Sequence, residues 1–447
     1  MAYINHYLSG PLRRSFHMPG HKRNSEMFPS IPLDKDITEI EGADNLHCPT
    51  GIIKAAMEDA AALWGAKRSV FLVNGSSCGL LAGLGTLCRR GDKVLVARNC
   101  HRSVFHGIEL LGLKPLYLWP EYLEDLGFYG AVSVNTVKAA LDADGDIRAA
   151  VITSPTYEGL ISDMPAICGL CHSRGVKVLA DGAHGAHLDL SPYFTGGGVS
   201  AGADITVQSL HKTMPALTQT AILHVGSDDV DIDRLMHKLR VFESSSPSYI
   251  LMQSAEHSVE MAKSKERFKG WADLIKDFEN KISGLKNIRL SLGDRHHDPS
   301  KLVFTGVDGV KLAAFLRRFG VEPEMAVTTH LIAMTGMGNT REDYDALAEA
   351  LKKADLLLPP TKGPYAPPPF CHGDAFCSIE EGLDLPFTTL PPAECVGRVA
   401  AEYVWAYPPG IPLLIPGERI TEAFLKSDLN CLESDSGLLP EGIKVLI

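Results

Sequence analysis

The 447-residue sequence predicts an α/β fold, with a large domain on a mostly parallel seven-stranded sheet and a smaller C-terminal α/β domain. Three observations predict it. From about residue 50 to 225, short β-rich apolar runs alternate with stretches of helical spacing, the signature of parallel strands joined by crossover helices. From Asp231 to about Leu285 the pattern is helical, as in a segment that links two domains. Beyond it, strand and helix patterns resume on a smaller scale.

Taken in order, residues 1–50 read as an N-terminal arm, residues 51–285 as the large domain with its linking helix, and residues 286–447 as the small domain or domains. The strand candidates of the large domain are Ser69–Val73, Lys93–Ala97, Pro115–Leu118, Ala149–Thr153, Lys177–Ala180, Ile205–Gln208 and Ala221–Val225. Helical spacing is clearest over Ile52–Trp64, Gly79–Cys88, Val104–Leu111 and Val134–Leu141. Pro247, after three serines, must break the linking helix. The small domain is expected to hold a strand at Leu302–Thr305 and helices at Val310–Phe319, Arg341–Ala354 and Pro392–Tyr403. Prolines between residues 358 and 370 mark a loop or linker, and those of Tyr407–Pro412 an extended path.

A composition of 45% hydrophobic and 22% charged residues is that of a globular protein. The formal net charge of −11 argues against nonspecific binding to nucleic acid or to anionic membranes, both of which need basic patches. The first residues, with Arg13, Arg14 and His17, carry no apolar run ending in a small-residue cleavage site, and no apolar run is long enough to span a bilayer. The expected location is the cytoplasm. Ten scattered cysteines are expected to be reduced thiols, and Cys168 and Cys171, three apart on a helix, to pack on one face.

In open α/β sheets, ligands collect beyond the carboxyl ends of the strands, so polar residues at those ends are the candidates. Asn74-Gly75-Ser76-Ser77 follows the first strand: glycine permits a tight turn, and hydroxyls with backbone N–H groups at a helix start can cradle a phosphate or simply cap the helix. Asp181 ends another strand, before Gly182-Ala183-His184-Gly185-Ala186-His187. It can be a cap, or it can hold a proton on a ring nitrogen. A metal site of Asp181, His184 and His187 is the weaker reading, since no ligand cluster surrounds them. Lys212, flanked by Ser209 and His211, is either a solvated surface charge or, in an apolar pocket, an amine nucleophile. His101 can cap a helix or lay its ring on a planar ligand.

In order along the chain, the motifs HMPGHK (17–22), DNLH (44–47), NGSS (74–77), RNCHRS (98–103), TSPTYEG (153–159), DGAHGAH (181–187), QSLHKT (208–213), FESSSPSY (242–249) and YPPGIPLLIPGERI (407–420) resemble the bacterial ornithine/lysine/arginine decarboxylases. These are enzymes dependent on pyridoxal 5'-phosphate (PLP) and built on the aspartate-aminotransferase type of fold (fold type I). The resemblance covers nearly the whole chain and is closest to the short form of the family.

It implies decarboxylation of a basic amino acid, with Lys212 forming the internal imine, Asp181 pairing with the pyridine nitrogen and His101 stacking over the ring. Gly75, Ser76, Ser77, Ser209 and His211 would surround the phosphate, and His184 would lie near the phenolic oxygen. His211 or Lys212 would return the proton to the substrate Cα. A hydroxyl from a neighbouring subunit, sought at Ser244–Ser246 and assigned to Ser246, implies a homodimer or larger homo-oligomer with a shared site. Glu41, Asp44 and Glu158 are candidates for the substrate's distal cation. The chain departs from the family at Gly182, where glutamate is common, and at Leu210, where threonine is. Another PLP reaction, such as transamination or aldol cleavage, and a non-catalytic regulatory paralogue are the rival readings.

Overall fold

The computed structural model describes residues 3–9, 32–361, 363–365, 375–406, 410–425, 432–434, 437–438 and 442–447. The HMPGHK motif, residues 366–370 of the proline-rich stretch and Tyr407-Pro408-Pro409 lie outside them. All seven expected strands are present, as β1 (Arg68–Leu72), β2 (Lys93–Ala97), β3 (Lys114–Leu118), β6 (Ile147–Thr153), β7 (Lys177–Asp181), β8 (Ile205–Gln208) and β9 (Ala221–Val225). A hairpin of β4 (Tyr122–Leu123) and β5 (Phe128–Tyr129) stands apart from them. The seven form one sheet in the order β1-β9-β8-β7-β6-β2-β3. The β2–β3, β2–β6 and β7–β8 pairs are parallel, whereas β9 runs antiparallel to both of its neighbours. Every residue of β8 and β9 is buried, the polar Gln208 and His224 included, whose side chains bond each other at 3.1 Å.

The chain divides into two compact units, residues 1–87 with 152–362 and residues 88–151 with 363–447. In the first, α1 (Tyr3–Leu8) packs on α2 (Ile52–Trp64), and α3 (Gly75–Leu87) lies on the sheet. Gly79 permits the close approach of α3, for a Cβ there would stand 2.6 Å from Leu72 Cδ1 and 2.8 Å from Val207 Cγ1. The inner face of helix α6 (Met164–Ser173) carries Cys168 and Cys171, both buried thiols. After the short α7 (Leu210–Thr213) comes the expected helical region, in three pieces: α8 (Ile232–Phe242), α9 (Tyr249–Ala262) and α10 (Lys265–Ile282). Pro247 accounts for the first break; the second falls where Ser264 caps α10 by accepting the Arg267 N–H.

The face of α10 formed by Phe268, Trp271, Ile275, Phe278 and Ile282 is buried. Each such side chain contributes about 1.5–3 kcal/mol of hydrophobic stabilisation. Phe278 meets Phe304 and Tyr344, so α10 is packed on an antiparallel sheet of β10 (Arg289–Leu290), β11 (Lys301–Thr305), β13 (Leu331–Met334) and β12 (Met325–Ala326), in that order, and on α12 (Arg341–Leu357). Helix α11 (Gly309–Arg317) completes the layer.

The second unit holds β2, β3, α4 (Arg102–Leu111), α5 (Val134–Ala143) and two small C-terminal sheets: strand Phe387–Leu390 against Ile443–Leu446, and strands 411–414, 404–406, 432–434 and 437–438 in that order. Its core gathers Val404, Leu414, Ile420, Phe424, Ile443 and Val445. The helix expected at Pro392–Tyr403 is absent. Only a 3-10 turn forms at Pro392–Glu394, after which Gly397 takes φ +77° and the backbone pairs outward instead of with itself. Val399 bridges Arg419 and Ala400 bridges Val445, so sheet-like partners in the tertiary structure override the helical spacing.

Candidate active site

The candidate side chains of the first unit sit where strands hand over to helices. After β1, Gly75 at φ +76° turns the chain into α3 and sets Ser76 and Ser77 in its first turn, where backbone N–H groups have no intrahelical acceptor. After β8, buried Ser209 donates from Oγ to Ser76 Oγ at 2.8 Å. Two hydroxyls 133 residues apart in sequence are thus brought together at a helix N-terminus.

Asp181 is the last residue of β7, only 2% exposed, and accepts the Ala183 N–H at 3.2 Å. Burial raises its carboxyl pKa, with the charge of Lys212 and the Ala183 N–H opposing. Lys212, on α7, is held the other way: burial lowers its ammonium pKa, and the charges of Asp181 and Glu324 oppose. Its Nζ lies 3.0 Å from His184 Nε2. Both groups are pushed towards their neutral forms, and a neutral buried amine is a nucleophile. His211 donates from Nδ1 to the Thr220 carbonyl at 2.8 Å, since a carbonyl can only accept, so its basic nitrogen is Nε2. Burial lowers the His211 pKa, and the same carbonyl opposes.

Sequence reasoning missed three residues of this cluster. Lys301, at the head of β11 and 2% exposed, places Nζ 2.7 Å from His184 Nδ1. Burial pushes its ammonium down to about 7, against the Asp298 carboxylate. Tyr157 stands edge-on to His184 with ring centres 5.1 Å apart and donates to Glu324 Oε1 at 2.8 Å. A lysine opening a strand that is otherwise apolar, right after Asp298-Pro299-Ser300, was the available signal for Lys301.

Other candidates fall elsewhere. His101 belongs to the second unit, where it follows β2 and caps α4, its Nδ1 accepting the Ser103 N–H at 3.2 Å. Ser246 is exposed in the turn between α8 and α9, its N–H bonded to Ser244 Oγ. His187 does not join His184. It is fully buried, 2.9 Å from Asp298 Oδ1, among Phe194 and Trp271. Asp44 accepts backbone N–H groups of Asn45, Thr50, Gly51, Ile53 and Lys54 and so anchors the start of α2. Against burial, these bonds hold its carboxyl below the ordinary value. Glu41 is exposed, and Glu158 is half-buried, its anion disfavoured by burial and favoured by Lys301.

Comparison with known proteins fixes the family. The sequence matches the Orn/Lys/Arg decarboxylase major domain over residues 8–291 and the C-terminal domain of the same family over residues 386–438. The chain belongs to the Orn/Lys/Arg decarboxylase family. It is 35% identical to the uncharacterized protein YaaO of Bacillus subtilis, over 91% of this chain and 89% of that one. It is 33% identical to an arginine decarboxylase of Halalkalibacterium halodurans, over 92% and 88%. The solved lysine decarboxylase of Francisella novicida shares the fold at TM-score 0.81 and 19% identity, covering 99% of this chain and 80% of that one. As a member of the Orn/Lys/Arg decarboxylases the chain is an amino-acid decarboxylase with the large α/β sheet and smaller C-terminal domain expected from its sequence. Among the described residues no helix is long and apolar enough to cross a membrane.

Proposed function

We propose that this chain uses PLP bound through Lys212 to remove the α-carboxylate of a basic amino acid as carbon dioxide, leaving the amine. One observation carries the reading: a buried carboxylate and a buried lysine that interact electrostatically, both biased towards neutrality, stand at strand ends of one sheet, the lysine three residues after a serine whose hydroxyl bonds another at a helix start. That donor set fits the cofactor. Lys212 Nζ would hold the aldehyde carbon, Asp181 the ring nitrogen, and Ser76, Ser77 and Ser209 with the turn at Gly75 the phosphate. His184 would face the phenolic oxygen, His211 would border the phosphate, and His101 would cover the ring. When bound, the cofactor supplies an electron sink for the bond to the leaving carboxylate.

The residues of the chain do the rest. Asp181 loses stability as an anion only while no cation is offered to it; a protonated ring nitrogen is such a cation, so binding and ionisation reinforce each other. His211, with Nδ1–H committed to Thr220, has Nε2 as the nitrogen that can carry a proton to the substrate, and burial favours giving that proton up. His211 and Lys212 are the donors we assign to the substrate Cα. For the distal cation of the substrate, Asp44 is already committed to α2, and Glu158, which shares its field with Lys301, is the first carboxylate to substitute. Ser246, exposed on the single chain, is offered to a second copy in a homodimer.

Purified protein supplied with PLP should show an absorbance band that borohydride removes and that Lys212→Ala lacks. Incubated with arginine, lysine and ornithine in turn, it should release carbon dioxide and the matching amine from at least one. A keto acid product, or no turnover of any of the three, would overturn the reading.

A further inference from the structure

His224 is fully buried on β9, between β1 and β8, and its ring lies against Trp64 of α2 with ring centres 5.1 Å apart. Strand register explains its company. Ser69 stands directly across from it on β1, and Gln208 stands two residues beyond its partner Thr206 on β8, hence on the same face of the sheet. The Ser69 hydroxyl is 2.7 Å from Nδ1, and Nε2 is 3.1 Å from Gln208 Oε1. The other end of that amide, Gln208 Nε2, lies 3.0 Å from the Gly185 carbonyl. All of these residues belong to the first unit.

A carbonyl only accepts, and that fixes the direction of every bond in the row. The Gln208 group facing Gly185 is the amide NH2, so its oxygen faces His224. That oxygen needs a donor, so His224 carries its hydrogen on Nε2. Nδ1 is then bare and takes the hydroxyl hydrogen of Ser69. Burial pushes the His224 pKa down to about 3, which keeps the ring in this neutral form. The row ends in the segment that carries His184. The Gly185 carbonyl also accepts the Leu188 N–H at 3.1 Å, and Trp64 Nε1 donates to the next carbonyl, Ala186, at 3.2 Å. Before His184, the Gly182 N–H is bonded to the Val207 carbonyl at 2.9 Å. His184 therefore stands between anchored stretches of backbone, with Nε2 3.0 Å from Lys212 Nζ.

Resting on the assignment of Lys212 as the cofactor lysine, we propose that His224 is a positioning residue that acts through Gln208: its Nε2–H sets the Gln208 amide to grip the Gly185 carbonyl, and that grip holds His184 against Lys212. An apolar pair at 208 and 224 would fill the sheet as well. What the polar pair adds is a hold on the turn.

The test compares His224→Phe, which keeps a ring without nitrogens, Gln208→Met, which removes the amide, and His224→Gln, whose amide N–H can stand in for Nε2–H. Amide hydrogen exchange is read by mass spectrometry in PLP-free protein. Residues 182–188 should exchange about tenfold faster in the phenylalanine and methionine variants, with residues 265–282 of α10 unchanged, and the glutamine variant should stay within about twofold of wild type. In PLP-loaded protein, the pH at which the borohydride-sensitive absorbance band changes should move by about 0.5 unit or more in the first two variants and hold in the third. Should the phenylalanine variant not fold, Gln208→Met against His224→Gln makes the same comparison. Unchanged exchange at 182–188, or equal acceleration over 265–282, overturns the proposal, and so does a band whose midpoint is the same in every variant. A borohydride-reducible adduct that persists in Lys212→Ala overturns instead the assignment of Lys212; the exchange measurement needs no cofactor, so the two failures are told apart.

Discussion

Arg98 and Lys301 are both buried cations, 0% and 2% exposed, yet their surroundings differ in kind. Arg98, in the second unit, donates to the Pro412 carbonyl and, at 3.2 Å each, to the Leu413 carbonyl and Glu418 Oε2, with the Phe105, Tyr117 and Trp119 rings 5.5–5.8 Å from its guanidinium carbon. Its acceptors are fixed, and a guanidinium does not release its proton. Lys301, in the first unit, shares a 2.7 Å hydrogen bond with an imidazole that can exchange its two nitrogens' roles. Burial alone therefore does not mark a functional charge; a cation that can itself change protonation does. The first arrangement holds strand 411–414 in place. The second can move a proton.

Substitutions that reverse these roles would break the comparison. The largest expected effect is on turnover: Asp181→Ala should lower kcat for decarboxylation about 10²–10³-fold, by removing the charge that matches the cofactor ring, with little loss of stability in urea. Comparable activity with lowered stability would make Asp181 a structural residue. Arg98→Met should do the opposite, costing about 3–5 kcal/mol in urea unfolding because the Glu418 carboxylate is left buried and unpaired. A loss below about 1 kcal/mol would show that Glu418 simply takes up a proton, as burial, which pushes it to about 7, favours.

Between these, Gly79→Val should cost about 1–3 kcal/mol and weaken PLP binding, because α3 must lift off Leu72 and Val207 and carry Ser76 away from Ser209. Unchanged affinity would separate the hydroxyl pair from the cofactor. The smallest effect is one of pH. Lys301 is depressed from 10.5 to about 7, so its contribution is complete above pH 10.5 and is lost as pH falls towards 7, where the unfolded chain is protonated and the folded one resists. Lys301→Met should then be more stable than wild type at pH 7 by on the order of 1–3 kcal/mol, net of the lost bond to His184, and the gap should close towards pH 10.5. Equal stability at both pH values would place the Lys301 cation in water.

The sheet was legible because most of its strands are buried, and β1, β6, β7, β8 and β9 end at or just before Asn, Ser, Asp or Gly. Asp181, Ser209 and Lys212 were legible for the same reason: strand ends are visible in sequence. Lys301 was not, since β11 belongs to the small antiparallel sheet, where no rule about strand ends points to a ligand, and only the folded chain sets it against His184. Pro392–Tyr403 misled because its apolar spacing suits a helix equally well, and the choice was made by partners at residues 418–420 and 444–446. Asp44 looked available for a substrate cation; its use as an anchor for α2 depends on a positive φ of 68° that spacing does not reveal.

Arg98 and the Pro412 carbonyl are 314 residues apart in sequence, and each of the two units is assembled from separate stretches of chain. During synthesis β2 and β3 emerge early, but the segment that supplies the acceptors of Arg98 and the strands of the second core comes last. Until then an apolar surface and an uncovered guanidinium wait together, which favours slow, late closure and a need for protection from aggregation. A chain ended after residue 362 would keep every titratable residue of the Lys212 cluster and still lack the partners of residues 88–151, so cutting the gene at a unit boundary would not yield an independent fold.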